Sequence, residues 1–253
     1  MKNPIYLLLV FMLFLISCDD DGPNILDDVA DVEIVFKAMF GDDPYIVNQT
    51  YDYGDDQIKI ATFSFYVSDI KLGSSSNASE VEEIDFVDFS GVQVDQQSAE
   101  AGIRIVSSEA PIGNYPAMSI GIGVPSDLNK TSPDEYAPTH VLSKTSHYWA
   151  DWQSYIHMKI EGTLDTDGDG LFDDVSFMYH VGADETYESL EIQTPVTIVK
   201  DEMNSILVEV DLEKLFVSAT RLDIEAKPRL HTAEDLTVGH FLMDNFSNAV
   251  RLQ

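Results

Sequence analysis

Cysteine and positive charge are both scarce in this sequence. Its 253 residues include a single cysteine, Cys18, which excludes an internal disulfide framework and leaves no other thiol for catalysis. Lys and Arg number 14 against 45 Asp and Glu, a formal charge of −31. Sequence-independent binding to nucleic acid needs clustered cations along the phosphates, so that class is excluded too. The same acidity disfavours docking on anionic lipid and suits a soluble or cation-gathering exterior protein. No internal repeat of 20–50 residues is present, and the Ser74–Ser76 run is the extent of low complexity. Catalytic signatures are also missing: there is no Gly-x-Ser-x-Gly, no His-Glu-x-x-His and no Gly-x-x-x-x-Gly-Lys. Gly121-Ile122-Gly123 lacks the third glycine of a dinucleotide loop, and Val124-Pro125 ends it. With acids this abundant, any choice of two as a glycosidase pair is arbitrary. A non-enzymatic protein is expected.

What is there begins with an address. Met1-Lys2-Asn3-Pro4 precedes an apolar run, Ile5–Ile16, of 12 residues. That is short of the ~20 a bilayer span needs and suits the apolar stretch of a secretory signal. It ends Leu15-Ile16-Ser17-Cys18, which resembles a bacterial lipobox. On this reading 1–17 is a lipoprotein signal peptide, Cys18 is acylated and joins the membrane, and 18–30 is a tether. Asp19-Asp20-Asp21 directly after the cysteine resembles the surface-export signal of Bacteroidetes-type lipoproteins. An outer-membrane lipoprotein is expected, on the cell surface or on the periplasmic face.

With 44% hydrophobic and 10% aromatic residues, the remainder, 31–253, is a packed globule rather than a disordered chain. Alternating or β-rich runs recur at Val32–Phe40, Ile58–Leu72, Ile84–Phe89, Ile103–Val106, Met118–Val124, Tyr155–Leu164, Val175–Val181, Leu190–Val199 and Ile206–Leu212. Turn clusters separate them and no helical pattern intervenes, which predicts a mainly β protein, an antiparallel β-sandwich of immunoglobulin or cupredoxin type. Two segments depart from the pattern. Asp127–Ser146 is long enough to be a functional loop. Thr232–Leu252 has apolar residues at helical spacing after a capping-box start, Thr232-Ala233-Glu234-Asp235, and predicts a C-terminal helix.

The most specific local motif is Asp165-Thr166-Asp167-Gly168-Asp169-Gly170-Leu171-Phe172-Asp173-Asp174. Carboxylates at alternate positions can converge on one centre, and hard oxygen donors suit calcium. Asp165, Asp167 and Asp169 take positions 1, 3 and 5 of the twelve-residue scheme, Leu171 supplies a carbonyl, and Asp173 stands ninth. The twelfth position is Ser176, so Asp174 is the substitute for the missing Glu. The alternative is an acidic hairpin tip without metal.

The hairpin around that tip predicts which histidines face each other. Even residues are apolar in Tyr155–Glu161 and odd ones are large and apolar in Val175–Val181. Burying both sets on one side requires an odd-sum register. His157, His180 and Met178 then share the opposite face, where two imidazoles near a thioether favour copper. A surface carrying two ordinary histidines is the other reading.

Several motifs in order resemble the MbnP-like family, named for a copper-binding partner of methanobactin systems. They are Phe63–Leu72, Gly121-Ile122-Gly123-Val124-Pro125 with Asn129, Tyr148-Trp149-Ala150-Asp151-Trp152-Gln153-Ser154-Tyr155, Lys159-Ile160-Glu161-Gly162 and Phe177–Gly182. The resemblance runs from about Val32 to the C-terminus. It implies a secreted or surface β-sandwich, in which some members bind copper through histidines and a tryptophan oxidised to kynurenine by a partner dihaem enzyme. Carried over by motif, His180 is a ligand, Trp149 is the counterpart of the modified aromatic and Trp152 its reserve, with His157 joining. The family's Trp-x-Trp-x-x-Gly-Tyr run is altered here, with the second tryptophan displaced to Trp152 and Ser154 in place of glycine. His231 stands where related sequences tend to carry a histidine. His140, His147 and His240 are expected to be ordinary.

Two functions follow as expectations. One is a lipid-anchored copper protein for capture or handover, with a calcium loop. The other is a non-catalytic surface module for adhesion or glycan binding, in which the tryptophans stack on sugar.

Overall fold

The computed structural model describes residues 29–74 and 78–253. The signal peptide, Cys18 and the tether up to residue 28 lie outside the described residues. The first strand, Val29–Phe40, takes in Val29 and Ala30, which the sequence placed in the tether.

Two sheets pack face to face. The smaller is built on Val29–Phe40, whose inward residues Val32, Ile34, Phe36, Ala38 and Phe40 alternate as the pleat requires. Ile103–Pro111 flanks it antiparallel and Asn204–Asp211 flanks it parallel, with Val250–Leu252 outside the latter. That parallel pair is the one departure from the expected antiparallel pattern in the small sheet. The larger sheet is organised by the 17-residue strand Asp56–Leu72. One edge of this strand pairs first with Ser154–Asp165 and then with Met118–Ile122. Two irregularities change which residues point inward. An extra residue, Ala61, lies between Ile60 and Thr62 in the pairing with Ser154–Asp165, and the inward set moves from Ile58 and Ile60 to Phe63, Phe65 and Val67. At Asp69, with φ +47°, it moves back to Ile70 and Leu72.

The predicted strands are all present, with ends shifted by a few residues. Leu190–Val199 is two strands, Glu188–Ile192 and Val196–Ile198. Pro195 lies between them and has no N–H for a ladder. The predicted C-terminal helix is shorter than expected. Helix occupies Thr237–Asp244 and Phe246–Ala249, broken at Asn245, whose side chain donates to the Leu215 carbonyl. The last stretch, Val250–Leu252, is a strand, because its apolar residues alternate and the edge of Asn204–Asp211 lies open to them.

The outer face of the larger sheet is not left to water. The segment 127–147, with short 3₁₀ turns at Leu128–Lys130, Pro133–Glu135, Val141–Ser143 and Thr145–His147, folds over it. Leu142 and Val124 pack there on Tyr66, Ile84 and Tyr155. The Tyr155 hydroxyl donates to the Leu142 carbonyl at 3.0 Å, and Asn129 Oδ1 accepts from the Tyr155 N–H at 2.7 Å. These bonds fix where the chain re-enters the sheet at Tyr148.

A buried side chain, Gln93, staples the end of the first strand. Its Oε1 accepts from the Ala38 N–H at 2.9 Å and its Nε2 donates to the Tyr45 carbonyl at 2.9 Å. Gln93→Leu keeps the bulk and strands those backbone groups, each of which costs about 1–3 kcal/mol when buried without a partner. Urea unfolding should therefore show a loss of at least about 1 kcal/mol, and an unchanged midpoint would show that the staple is dispensable.

Candidate metal centre

The odd-sum register predicted for the hairpin holds from Met158 to Leu164: Lys159 faces His180 and Glu161 faces Met178. Phe177, Tyr179 and Val181 point into the core, so His180 and Met178 stand on the outer face. One residue upstream the register breaks. Ile156 pairs with Gly182 while Met158 pairs with Val181, so His157 is the extra residue of a bulge. Ile156 takes the place beside His180 that His157 was expected to fill. His157 is instead completely buried, with Nδ1 3.4 Å from Thr186 Oγ1 and its ring against the backbone of Gly123. Gly123 has φ +109°, and a Cβ there would lie 2.8 Å from the imidazole. The two histidines the sequence paired are thus apart.

His180 meets His231 instead. The two-residue strand Arg229–Leu230 runs parallel to Val175–Gly182, with Leu230 beside Tyr179 and buried like it. Alternation then turns the next residue, His231, outward next to His180. Their Nδ1 atoms lie 2.9 Å apart. Trp149 packs edge-on to His231 at 5.7 Å between centroids and to Trp152 at 5.6 Å. The six-membered ring of Trp149 lies over Gly182, where a Cβ would come within 3.1 Å of the ring and 2.6 Å of the Tyr155 carbonyl oxygen. Together these residues, with Tyr148, Asp151, Ile156 and Lys159, line a cavity of about 260 Å³. Met178 is on the same face but does not line the cavity.

The hydrogen bonds set the ring chemistry. His180 Nε2 is 2.6 Å from Glu161 Oε1, and Glu161 Oε2 accepts from Thr62 Oγ1 at 3.1 Å. Burial would raise the Glu161 carboxyl, but the bonds from His180 and Thr62 and the charge of Lys159 outweigh it and hold it low. For His180, burial lowers the pKa and outweighs the pull of Glu161. The contact is a charge-assisted hydrogen bond in which the imidazole donates to the carboxylate. A carboxylate only accepts, so Nε2 carries the proton and Nδ1 presents a lone pair. Trp149 Nε1 is buried with no hydrogen-bond partner among the described residues. Two imidazoles that exchange one hydrogen bond, beside an orphaned indole N–H, form a donor set that fits a soft or borderline metal. Lys159, half-buried across from His180, has its amine pKa lowered by burial and donates to the Ser146 carbonyl at 2.5 Å.

The other histidines lie outside the cavity lining. His147 Nε2 is 3.2 Å from Ser64 Oγ, His140 stacks on Tyr136, and His240 is in the helix Thr237–Asp244. Burial depresses His147 to about 3 and His157 to about 4. Both folded values lie below the ordinary ~6.5 of an unfolded histidine. Their contribution to stability is complete above that value and is lost as pH falls through it towards the folded values. His147→Gln should make the urea midpoint fall less between pH 7 and pH 4 than in wild type. Parallel pH profiles would show that the imidazole takes up its proton equally in the folded and unfolded states.

The acidic turn is arranged differently from the twelve-residue scheme. Carboxylate oxygens of Asp165, Asp167 and Asp174 lie within 4.8 Å of one another. Asp169 is not in that group; its carboxylate accepts from the Leu171 N–H, and Asp173 and Leu171 are exposed. Asp165 accepts from the Gly168 and Gly170 N–H groups, and Asp174 from those of Thr166 and Asp167.

Sequence reasoning passed over Glu161, Thr62 and Lys159. The signal was available, because the odd-sum register puts residues 159 and 161 on the same face as His180.

No curated protein matches the chain. A solved structure, MbnP from Methylosinus trichosporium, is similar in fold with a TM-score of 0.50 at 14% identity, covering 74% of this chain and 78% of that one. The MbnP family profile matches residues 29–233, which include both sheets' central strands and His180, His231 and Trp149. With that span matched, the chain belongs to the MbnP family.

Proposed function

We propose that this protein binds copper, as copper(I), between His180 and His231, and acts in copper capture or handover outside the cytoplasm. The observation that carries this reading is the facing pair of Nδ1 atoms at 2.9 Å in a half-open aromatic pocket. A proton now shared there is what a soft cation displaces, and imidazole nitrogen suits copper. Trp149 is the aromatic next to the pair, and its oxidation by a partner dihaem enzyme would convert an orphaned indole into a further donor. The lipobox at Cys18 supports attachment to the outer membrane, on the surface or the periplasmic face. Competition for copper(I) against a chromophoric chelator, with a peptide mass measurement at Trp149, tests the reading. Protein that leaves all the copper with the chelator ends it.

A second reading rests on Trp152, which is 39% exposed at the pocket rim and could stack on a sugar in an adhesion or glycan-binding module. Copper-free protein that retains a glycan would favour it.

The acidic turn supports a separate calcium site on Asp165, Asp167 and Asp174. Such turns outside the cell work at about 10⁻⁴–10⁻³ M. The double variant Asp165→Ala/Asp167→Ala should show no calcium heat by calorimetry where wild type shows it. Equal heats would place calcium elsewhere.

A further inference from the structure

We propose that Glu161 is a positioning residue: its carboxylate holds His180 in the tautomer protonated at Nε2 and so turns the Nδ1 lone pair towards His231. The inference deepens the copper reading, on which its affinity arm rests. Four strands contribute one polar row across the outer face. Thr62 on Asp56–Leu72 donates to Glu161 on Ser154–Asp165, which receives His180 on Val175–Gly182, which meets His231 just past Arg229–Leu230. Thr62, Glu161 and His180 are fixed by backbone pairing, with Thr62 facing Glu161 directly in the ladder, and His231 follows directly on the two paired residues Arg229 and Leu230.

The geometry leaves one orientation. Turning the imidazole over would aim a carbon at the carboxylate and give up the 2.6 Å bond. Placing the ring proton on Nδ1 instead would set a lone pair against a carboxylate oxygen. Either change removes the donor from its place opposite His231. Metal-binding histidines commonly donate their other N–H to a carboxylate, and losing such a partner typically costs 10–100-fold in affinity. Among the described residues beside the ring, Lys159 has only donors, and Thr62 is bonded to the other oxygen of Glu161.

The test uses the folded protein labelled with nitrogen-15. In metal-free wild type, the long-range histidine spectrum should show His180 as a single Nε2–H tautomer. In Glu161→Ala it should become a mixture of tautomers, and copper(I) affinity measured by chelator competition should fall about 10–100-fold. Glu161→Gln, whose amide oxygen still accepts from Nε2–H, should restore both. A pure Nε2–H tautomer in Glu161→Ala would overturn the proposal, and so would unchanged affinity in that variant. Should wild type take up no copper(I), the copper reading fails while the tautomer comparison still decides the role of Glu161.

Discussion

Copper(I) offered to His180→Ala should remain with a competing chelator, with affinity down by more than about 100-fold, beyond the range seen when only a supporting residue is lost. His231→Ala should do the same, because each imidazole supplies one of the two facing nitrogens. The informative contrast is His157. The sequence pairs it with His180, but the bulge at this position gives its place to Ile156 and buries the ring against Gly123 and Thr186. His157→Gln, checked for folding by circular dichroism, should keep copper within a few-fold of wild type, and so should His240→Ala on the C-terminal helix. If His157→Gln loses as much as His180→Ala while staying folded, the His180–His231 pair is not the centre.

The largest loss of stability should come from Phe65→Ala. Phe65 is completely buried in the long central strand and touches aromatic rings from every layer. Its centroid lies 6.2 Å from Phe36 on the small sheet, 5.4 Å from Phe63, 6.3 Å from Phe89 and 5.6 Å from Phe246 on the C-terminal helix. Removing the ring loses its transfer free energy and opens a cavity that four rigid neighbours cannot collapse, a cost of about 3–5 kcal/mol. Guanidinium unfolding measures it directly. A cost below about 1 kcal/mol, the scale of a surface change, would mean that the two sheets do not share this contact.

Much of the fold is legible in the sequence because alternation is a local signal. Val32, Ile34, Phe36 and Ala38 announce their strand and their inward face in one line. The hairpin register was legible for the same reason, and it carried His180 and Met178 to the correct side. What stayed hidden depended on single inserted residues and on distant partners. An extra residue at His157 moves that side chain off its predicted face, and no pattern over seven residues announces it. His231 reaches His180 through a parallel pairing of only two residues, Arg229 and Leu230, across some 50 positions of chain (|i−j| = 51). Such a contact leaves no periodicity to read. The C-terminal helix was over-extended because apolar residues at helical spacing continue into Val250 and Leu252, whose strand pairing is decided by an open sheet edge.

The parallel union of Val29–Phe40 with Asn204–Asp211 has a kinetic consequence. Its partners are separated by most of the polypeptide, so the smaller layer cannot be completed while a ribosome still holds the last quarter of the chain. Topologies dominated by such remote pairings mature in milliseconds to seconds rather than microseconds. A nascent molecule of this kind stays threadable until late, and both imidazoles come together only after the whole ribbon has been released.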